Sequence, residues 1–559
     1  MDLDAGGRNL VARIEQNLVL TRDRVIATFL QRGERVGDQL TGDAFRDRVL
    51  RLAGHLETCL PEGGPVLLIM PPSLECSVAL VACLYAGIAV APLPVPHPGA
   101  YRDRLDAVIA DSCARAILCT QESAQVLTQH LAQGTRSGLP TLIRVDDLLA
   151  QPGRIGHPRC AGFDRSVDDT AVIQYTSGST RQPRGVLLSH RNLLSNTALA
   201  SERWRLGADT VSVNWLPNYH DMGLMGGTIC PLLWGAPCIQ MSPLAFAQKP
   251  SRWLRAIGEH RATLSGGPAF AFALCLDAID ERESASFDLS SWRAAFCGAE
   301  PVPADLLPRF RERFRGARLD PAAVFACYGL AESTLYVAGE RVWGEPDGLS
   351  GDGRTEPCRL APSTRANLRI VDPLSGQPRA DGEEGEIWVA GPSVASGYHN
   401  QPEETRATFD ARVAGDPRSF MRTGDLGLLS GNALHVTGRL KDVLIAHGAN
   451  VAAVDIEWLA AEAHPALNPM AAAAFSLNAA HDERGALLIE VRHARAALED
   501  AEALAEAIRA RVGATFGIDL AWVRFVKRGG LERTTSGKVR RQAVAARVRA
   551  GHRYPEVQA

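Results

Sequence analysis

The first half of the chain is built on short, unbroken apolar runs instead of alternating ones. Pro65-Val-Leu-Leu-Ile-Met70 is one, stopped by Pro71-Pro72, and Ala114-Arg-Ala-Ile-Leu-Cys119 is the next. Runs of this length bounded by turn residues predict buried strands. The signal recurs at Ala171–Tyr175, Val211–Leu216, Ala262–Ser265, Ala294–Cys297 and Val324–Cys327. Helical stretches separate them: Ser73 caps one running through Glu75 to Ala86, Ser123–Leu131 forms another, and a third begins near His190. A strand that is apolar throughout has no wet face. The pattern therefore predicts mainly parallel sheets with helices on both sides, and ligands at the carboxyl ends of the strands.

Beyond residue 340 the texture changes. Trp343–Ser363 is rich in Gly, Pro and charge and reads as loop. Asn367–Val371 and Glu386–Ala390 predict strands with a turn at Asp381-Gly382, a small β-rich subdomain. After Gly438 come strand signals at Val443–Ala446, Ala472–Leu477 and Leu487–Val491 and a helix over Leu498–Val512. The expected fold class is α/β: a large N-terminal domain, 1–438, of two doubly covered mainly parallel sheets plus the β-rich subdomain, then a small mobile α+β domain, 439–559. Two domains are also what 559 residues demand, since one hydrophobic core stops growing at about 250–300 residues.

Composition narrows the picture. A net charge of -3 gives no general pull towards nucleic acid or anionic lipid. No apolar run is long enough to span a membrane, and the N-terminus lacks the basic-then-apolar layout of a signal peptide. The 12 cysteines form no C-x-x-C pair and mostly sit in apolar runs, as buried thiols in a reducing compartment do. A cytoplasmic enzyme is the expectation.

The most informative stretch is Gln174-Tyr-Thr-Ser-Gly-Ser-Thr-Arg-Gln-Pro-Arg-Gly-Val186, between a strand and the helix near His190. Thr176, Ser177, Ser179 and Thr180 set hydroxyls around Gly178, and Arg181 and Arg184 add positive charge. Hydroxyls, exposed amides and a glycine can cradle phosphate oxygens. A polar turn accounts for the same residues. The stretch is not G-x-x-x-x-G-K-[ST], and no G-x-S-x-G elbow is present, so Ser177 and Ser179 are poor nucleophiles.

Six further motifs follow in order: NWLPNYHDMGL (Asn214–Leu224), FCGAEPV (Phe296–Val302), YGLAEST (Tyr328–Thr334), RTGDLG (Arg422–Gly427), GRLKD (Gly438–Asp442) and RTTSGKVRR (Arg533–Arg541). Together they resemble the adenylate-forming superfamily of acyl-CoA synthetases, nonribosomal adenylation domains and luciferases, over nearly the whole chain. QYTSGST, SGGPAFA and CYGLAESTL are most similar to fatty acyl-AMP ligases.

That resemblance implies activation of a fatty carboxylic acid with ATP and Mg²⁺ to acyl-AMP, then transfer to the phosphopantetheine thiol of a holo acyl carrier protein in polyketide or lipopeptide pathways. It implies Lys538 as the lysine of adenylation, and Glu332, with Thr180, as the metal-holding pair. It implies Asp425 on the ribose hydroxyls, Arg439 beside it, and Gly298, Ala299, Glu300, Tyr328, Gly329 and Leu330 around adenine. It implies His220 as a positioning ring between acyl entrance and phosphates, and Lys441 as the hinge. Met222, Gly223, Met225 and Gly226 are expected to line an acyl pocket, although such a helix also reads as plain core.

Arg524–Arg553 holds 10 Lys/Arg and one acid, Glu532, which is either a solvated face or a docking surface for an acidic carrier protein through Arg540, Arg541 and Arg547. The resemblance also implies an insertion after YGLAE that disfavours CoA. The Gly339–Ile370 stretch is short for it, so CoA stays open as acceptor. An inactive nucleotide-binding module is the third reading.

Overall fold

Strands buried on both faces set the architecture. The computed structural model describes residues 8–96, 102–132, 139–151, 159–176, 183–341, 355–446, 449–477, 484–492, 500–534 and 537–557. One sheet runs, in spatial order, Thr141–Arg144, Ala116–Cys119, Val66–Leu68, Val90–Pro92, Thr170–Thr176 and Arg184–Ser189. All its neighbours are parallel except the last pair. A second, of seven strands, runs Val324–Ala326, Ala294–Gly298, Leu264–Pro268, Ser212–Asn214, Cys238–Met241, Val25–Gln31 and Arg35–Thr41, parallel except at the Arg35–Thr41 edge. Every strand signal read from the first half of the sequence lies in one of these sheets. Helices Leu74–Tyr85 and His190–Trp204 begin where Ser73, the expected cap, and Ser189 accept backbone N–H bonds.

One feature departs from expectation. The chain does not pass from the Ser/Gly loop straight into a helix. It returns as strand Arg184–Ser189, antiparallel to Thr170–Thr176 with Thr176 opposite Arg184.

The β-rich subdomain is an antiparallel sheet with Cys358–Arg359, Ala433–Arg439, Asp416–Ser430, Gly385–Val389 and Leu368–Val371 in order. Residues from 443 on form a hairpin, Val443–Ala446 with Ala449–Ala452, and a three-stranded sheet of Leu467–Ser476, Arg484–Val491 and Asp519–Val526. Helices Ala453–Ala461, Ala501–Phe516 and Arg541–Arg549 accompany them, and Leu444, Ile456, Leu487, Ile489 and Val512 share a core of their own. Among the described residues no helix is long and apolar enough to cross a membrane.

Candidate active site

A cavity of about 670 Å³ opens at the carboxyl ends of the parallel strands, between the large sheets and the C-terminal segment. Thr176 reaches it from the end of its strand, where its carbonyl accepts a bond from Arg104 at 2.9 Å. Ser177, Gly178, Ser179 and Thr180 lie outside the described residues.

Four acids and bases define the polar floor. Asp425 is buried on the strand Asp416–Ser430. Its Oδ2 accepts from Tyr328 Oη at 2.8 Å and its Oδ1 from Arg439 Nε at 2.7 Å. Asp425 holds Arg439 more firmly protonated than usual, and burial pushes the Tyr328 phenol well up. Glu332 lines the cavity, with Oε1 accepting from Tyr398 Oη at 3.0 Å. Ala299 and Glu300 follow the strand Ala294–Gly298, and Phe270 N–H donates to Glu300 Oε1 at 2.9 Å. Burial raises the Glu300 carboxyl above its ordinary value, against the pull of Lys538.

Lys538 comes from the far end of the sequence. Arg533 and Val539 face each other across a tight turn, Thr534 N–H donates to the Lys538 carbonyl at 2.7 Å, and Gly537 takes a φ of +89° that the turn requires. The lysine tip enters the cavity and Nζ donates to the Ala299 carbonyl. Burial lowers its pKa, opposed first by Glu300.

His220 also faces the cavity. Its Nδ1 lies 2.6 Å from Asp221 Oδ1, and Met222 N–H donates to the same oxygen at 2.7 Å. Met222 N–H also reaches Nδ1, at 3.3 Å, so the ring is fixed at the start of the helical run. Burial would raise Asp221, but His220 and then Lys538 more than offset it and hold the acid below its ordinary value.

The structure also brings Gly329, Leu330, Met222, Gly226 and Lys441 to the cavity wall. It does not bring Gly298, Gly223 or Met225 there. A side chain on Gly298 would meet the Cys327 carbonyl at 2.3 Å, so this glycine serves the close approach of two strands. One on Gly223 would meet the Pro217 carbonyl at 2.1 Å, and Met225 is buried in the core. The expectation that Gly223 and Met225 line the pocket is corrected accordingly: they pack the helix down, and Gly226 opens it.

Several wall residues had not been singled out from the sequence. The cavity continues as an apolar arm between helix His190–Trp204 and the helical run Asp221–Trp234, lined by Asn196, Ala200, Trp204, Cys230 and Trp234. Their i, i+4 spacing was a usable signal, although it is also the spacing of ordinary core. Tyr398 and Asp221, which hold Glu332 and His220, were missed as well.

Part of the basic C-terminal stretch is engaged in ion pairs. Arg541 makes a two-pronged bond to Glu457 at 2.7 Å on each prong and a third to Asp442 at 2.8 Å. Arg533 pairs with Glu490, Arg524 with Glu556 and Arg547 with Glu532. Arg541 and Arg547 are therefore structural ion-pair partners rather than a row of unpaired docking charges.

The cavity thus gathers a lysine, a carboxylate–arginine pair and an adjacent apolar arm. Residues 15–399 match the model of the family described as AMP-binding enzyme, and the chain belongs to that family. It is 33% identical to the medium-chain-fatty-acid–[acyl-carrier-protein] ligase JamA of Moorena producens, over 92% of this chain and 91% of that one. It is 34% identical to the long-chain-fatty-acid–AMP ligase FadD26 of Mycobacterium marinum, over 92% of each. A solved structure from a study of fatty acyl-adenylate ligases of E. coli and L. pneumophila superposes with a TM-score of 0.84 at 29% identity, covering 99% of this chain and 98% of that one.

Proposed function

We propose that this chain joins a fatty acid to ATP, giving acyl-AMP and pyrophosphate, and then passes the acyl group to the phosphopantetheine thiol of a holo acyl carrier protein. The observation that carries the reading is the Lys538 tip inside the cavity, beside the Asp425–Arg439 pair and the apolar arm. In the first step a carboxylate oxygen of the acid bonds to the α-phosphorus and the bond to the β-phosphate oxygen breaks. The Lys538 ammonium, turned from the Ala299 carbonyl towards the phosphates, offsets the charge that builds there. Asp425 has lone pairs beyond those used by Tyr328 and Arg439, and these suit the two ribose hydroxyls. Tyr328, Gly329, Leu330, Ala299 and Glu300 offer a flat aromatic face and backbone groups for adenine. His220, fixed by Asp221, orients the acid at the mouth of the arm.

Among the described residues no group of three or more His, Cys, Asp or Glu forms a metal cage. One carboxylate, Glu332 held by Tyr398, does fit Mg²⁺, a hard ion that binds through one or two carboxylates plus phosphates and neutralises phosphate charge. In the second step the thiol attacks the acyl carbonyl and AMP leaves. For this, residues 439–559 act as a mobile domain turning at Lys441 against 1–438, withdrawing Lys538 from the path of the thiol. A cytoplasmic setting keeps the thiols reduced.

The test is ATP–pyrophosphate exchange over a series of fatty acids, then acyl transfer to holo carrier protein and to CoA. Exchange with at least one acid and acylated carrier protein are expected. Absence of exchange with every acid sinks the adenylation reading. Acyl-CoA as the main product establishes the second reading, a CoA ligase, which the short Gly339–Ile370 stretch favours.

A further inference from the structure

The wall of the apolar arm is graded by size. Met222, Gly226, Cys230 and Trp234 face it four residues apart on one helical run, and Asn196, Ala200 and Trp204 do so on the other. The two run parallel. Thr197 Oγ1 lies 3.3 Å from Cys230 Sγ, and one turn further Trp234 Nε1 donates to Ser201 Oγ at 2.7 Å. Met222 starts its series beside His220, Asn196 joins about two turns on, level with Ile229, and past the small side chains of Gly226, Cys230 and Ala200 both series finish on an indole towards the same end. A side chain built on Gly226 meets nothing within 4 Å, as expected of a wall facing open space.

The two indoles are fixed. Trp204 stacks on Phe296 at 5.3 Å between ring centres and meets Phe325 and Tyr336 edge-on at 5.4 and 5.2 Å. Its Nε1 donates to the Gly339 carbonyl at 2.9 Å. Both indole N–H groups are thus spent on the protein, leaving their ring carbons to meet a ligand. From Gly226 to Trp234 the helical run advances roughly 12 Å at ~1.5 Å per residue.

We propose that Trp204 and Trp234 form the blind end of the arm and set the longest acyl chain that the site accepts, a medium-length alkyl chain whose apolar tip rests on the two indoles. This rests on the acyl-adenylation reading above and adds the chain-length limit to it.

Pyrophosphate exchange from butyrate to stearate tests it in the full chain and in Trp204→Ala, Trp234→Ala and Gly226→Leu. In the wild type kcat/KM rises about fourfold per added methylene, the worth of ~0.8 kcal/mol of apolar burial, and then collapses beyond the medium range. Either alanine variant moves the collapse to longer acids. Gly226→Leu projects into the arm and moves it to shorter ones. The ratio of kcat/KM for the longest acid accepted by the wild type to that for butyrate falls at least ~10-fold. Should Trp204→Ala unfold for want of its aromatic partners, Trp234→Ala decides the matter, since that indole has a single hydrogen bond, to Ser201, to lose. A wild type that takes stearate as readily as medium-length acids overturns the proposal, as does an unchanged limit in the variants; in both cases adenylation stands. No exchange with any acid defeats the adenylation reading itself.

Discussion

Lys538 is held by a backbone carbonyl and surrounded by groups that pull in opposite directions. Burial works against its charge, Glu300, Asp221 and Asp425 favour it, and the net effect lowers its pKa below the ordinary 10.5. The ammonium is the form that can offset phosphate charge, so activity follows the protonated fraction. A lowered pKa means that this fraction is lost at lower pH than for an exposed lysine. In pyrophosphate exchange the alkaline limb of kcat/KM, which reports the free enzyme, should fall below pH 10.5. Lys538→Arg keeps a charge that does not titrate in this range, so the limb should disappear while the neutral-pH rate drops ~100-fold or more through altered geometry. A limb that stays in place in the arginine variant assigns it to another group.

The run Asp221–Trp234 shows what one element has to reconcile. It starts as α-helix over Asp221–Leu224, widens to a π-helical turn over Met225–Ile229 and returns to α-helix over Cys230–Trp234. Such a turn is a common feature of functional sites and here coincides with the wall of the arm. Its two glycines have opposite surroundings. Gly223→Ala drives a methyl into the Pro217 carbonyl and should cost about 1–3 kcal/mol in urea unfolding. Gly226→Ala meets no atom and should leave stability unchanged or raise it by up to ~1 kcal/mol. Equal losses in both would show that the tight contact at Gly223 is not what constrains this run.

The same element marks the limit of what was legible in the sequence. Strand positions in the two large sheets could be read because parallel strands are apolar on both faces. The gathering of Thr176, Glu332, Asp425 and Lys538 could be expected from ordered motifs. Which glycine packs and which opens a cavity depends on a carbonyl six residues back, and periodicity does not register it. The strand Arg184–Ser189 was missed because its polar start, Pro183-Arg184-Gly185, reads as loop until it is paired with Thr176. Thr334 is a further case. It sits at φ +68° with Leu335 N–H donating to the Ser333 carbonyl at 2.8 Å, a strained three-residue turn that a β-branched residue conceals.

At the scale of the molecule, the junction near residue 440 is anchored on both sides. Upstream, Arg439 is tied to Asp425 and pairs with it across the sheet. Downstream, Arg541 and Gln542 grip Asp442, and Gln542 Nε2 also donates to the Lys441 carbonyl at 2.7 Å. Arg541 is held charged by Glu457 and Asp442 against the effect of burial, and the Glu457 side chain is only 4% exposed. Arg541→Ala strands that acid and should lower unfolding free energy by about 3–5 kcal/mol, whereas Arg553→Glu, on an exposed position, should change it by less than ~0.5 kcal/mol. Backbone rotation in the proposed two-step cycle is therefore confined to Leu440 and Lys441, between two anchors. The contacts that hold the present arrangement include Lys538 on the Ala299 carbonyl, Met470 packed against the large core, and a surface pair of Arg492 with Asp277 at 2.5 Å, of a kind worth about 0.2–1 kcal/mol. Lys441→Pro fixes φ at that residue and restricts Leu440. With Lys538 already in the cavity, pyrophosphate exchange should stay within about threefold of wild type, while acyl transfer to holo carrier protein falls at least ~10-fold because the lysine cannot withdraw. Parallel loss of both activities would indicate damage to the nucleotide site, and retention of both would place the pivot elsewhere in the chain.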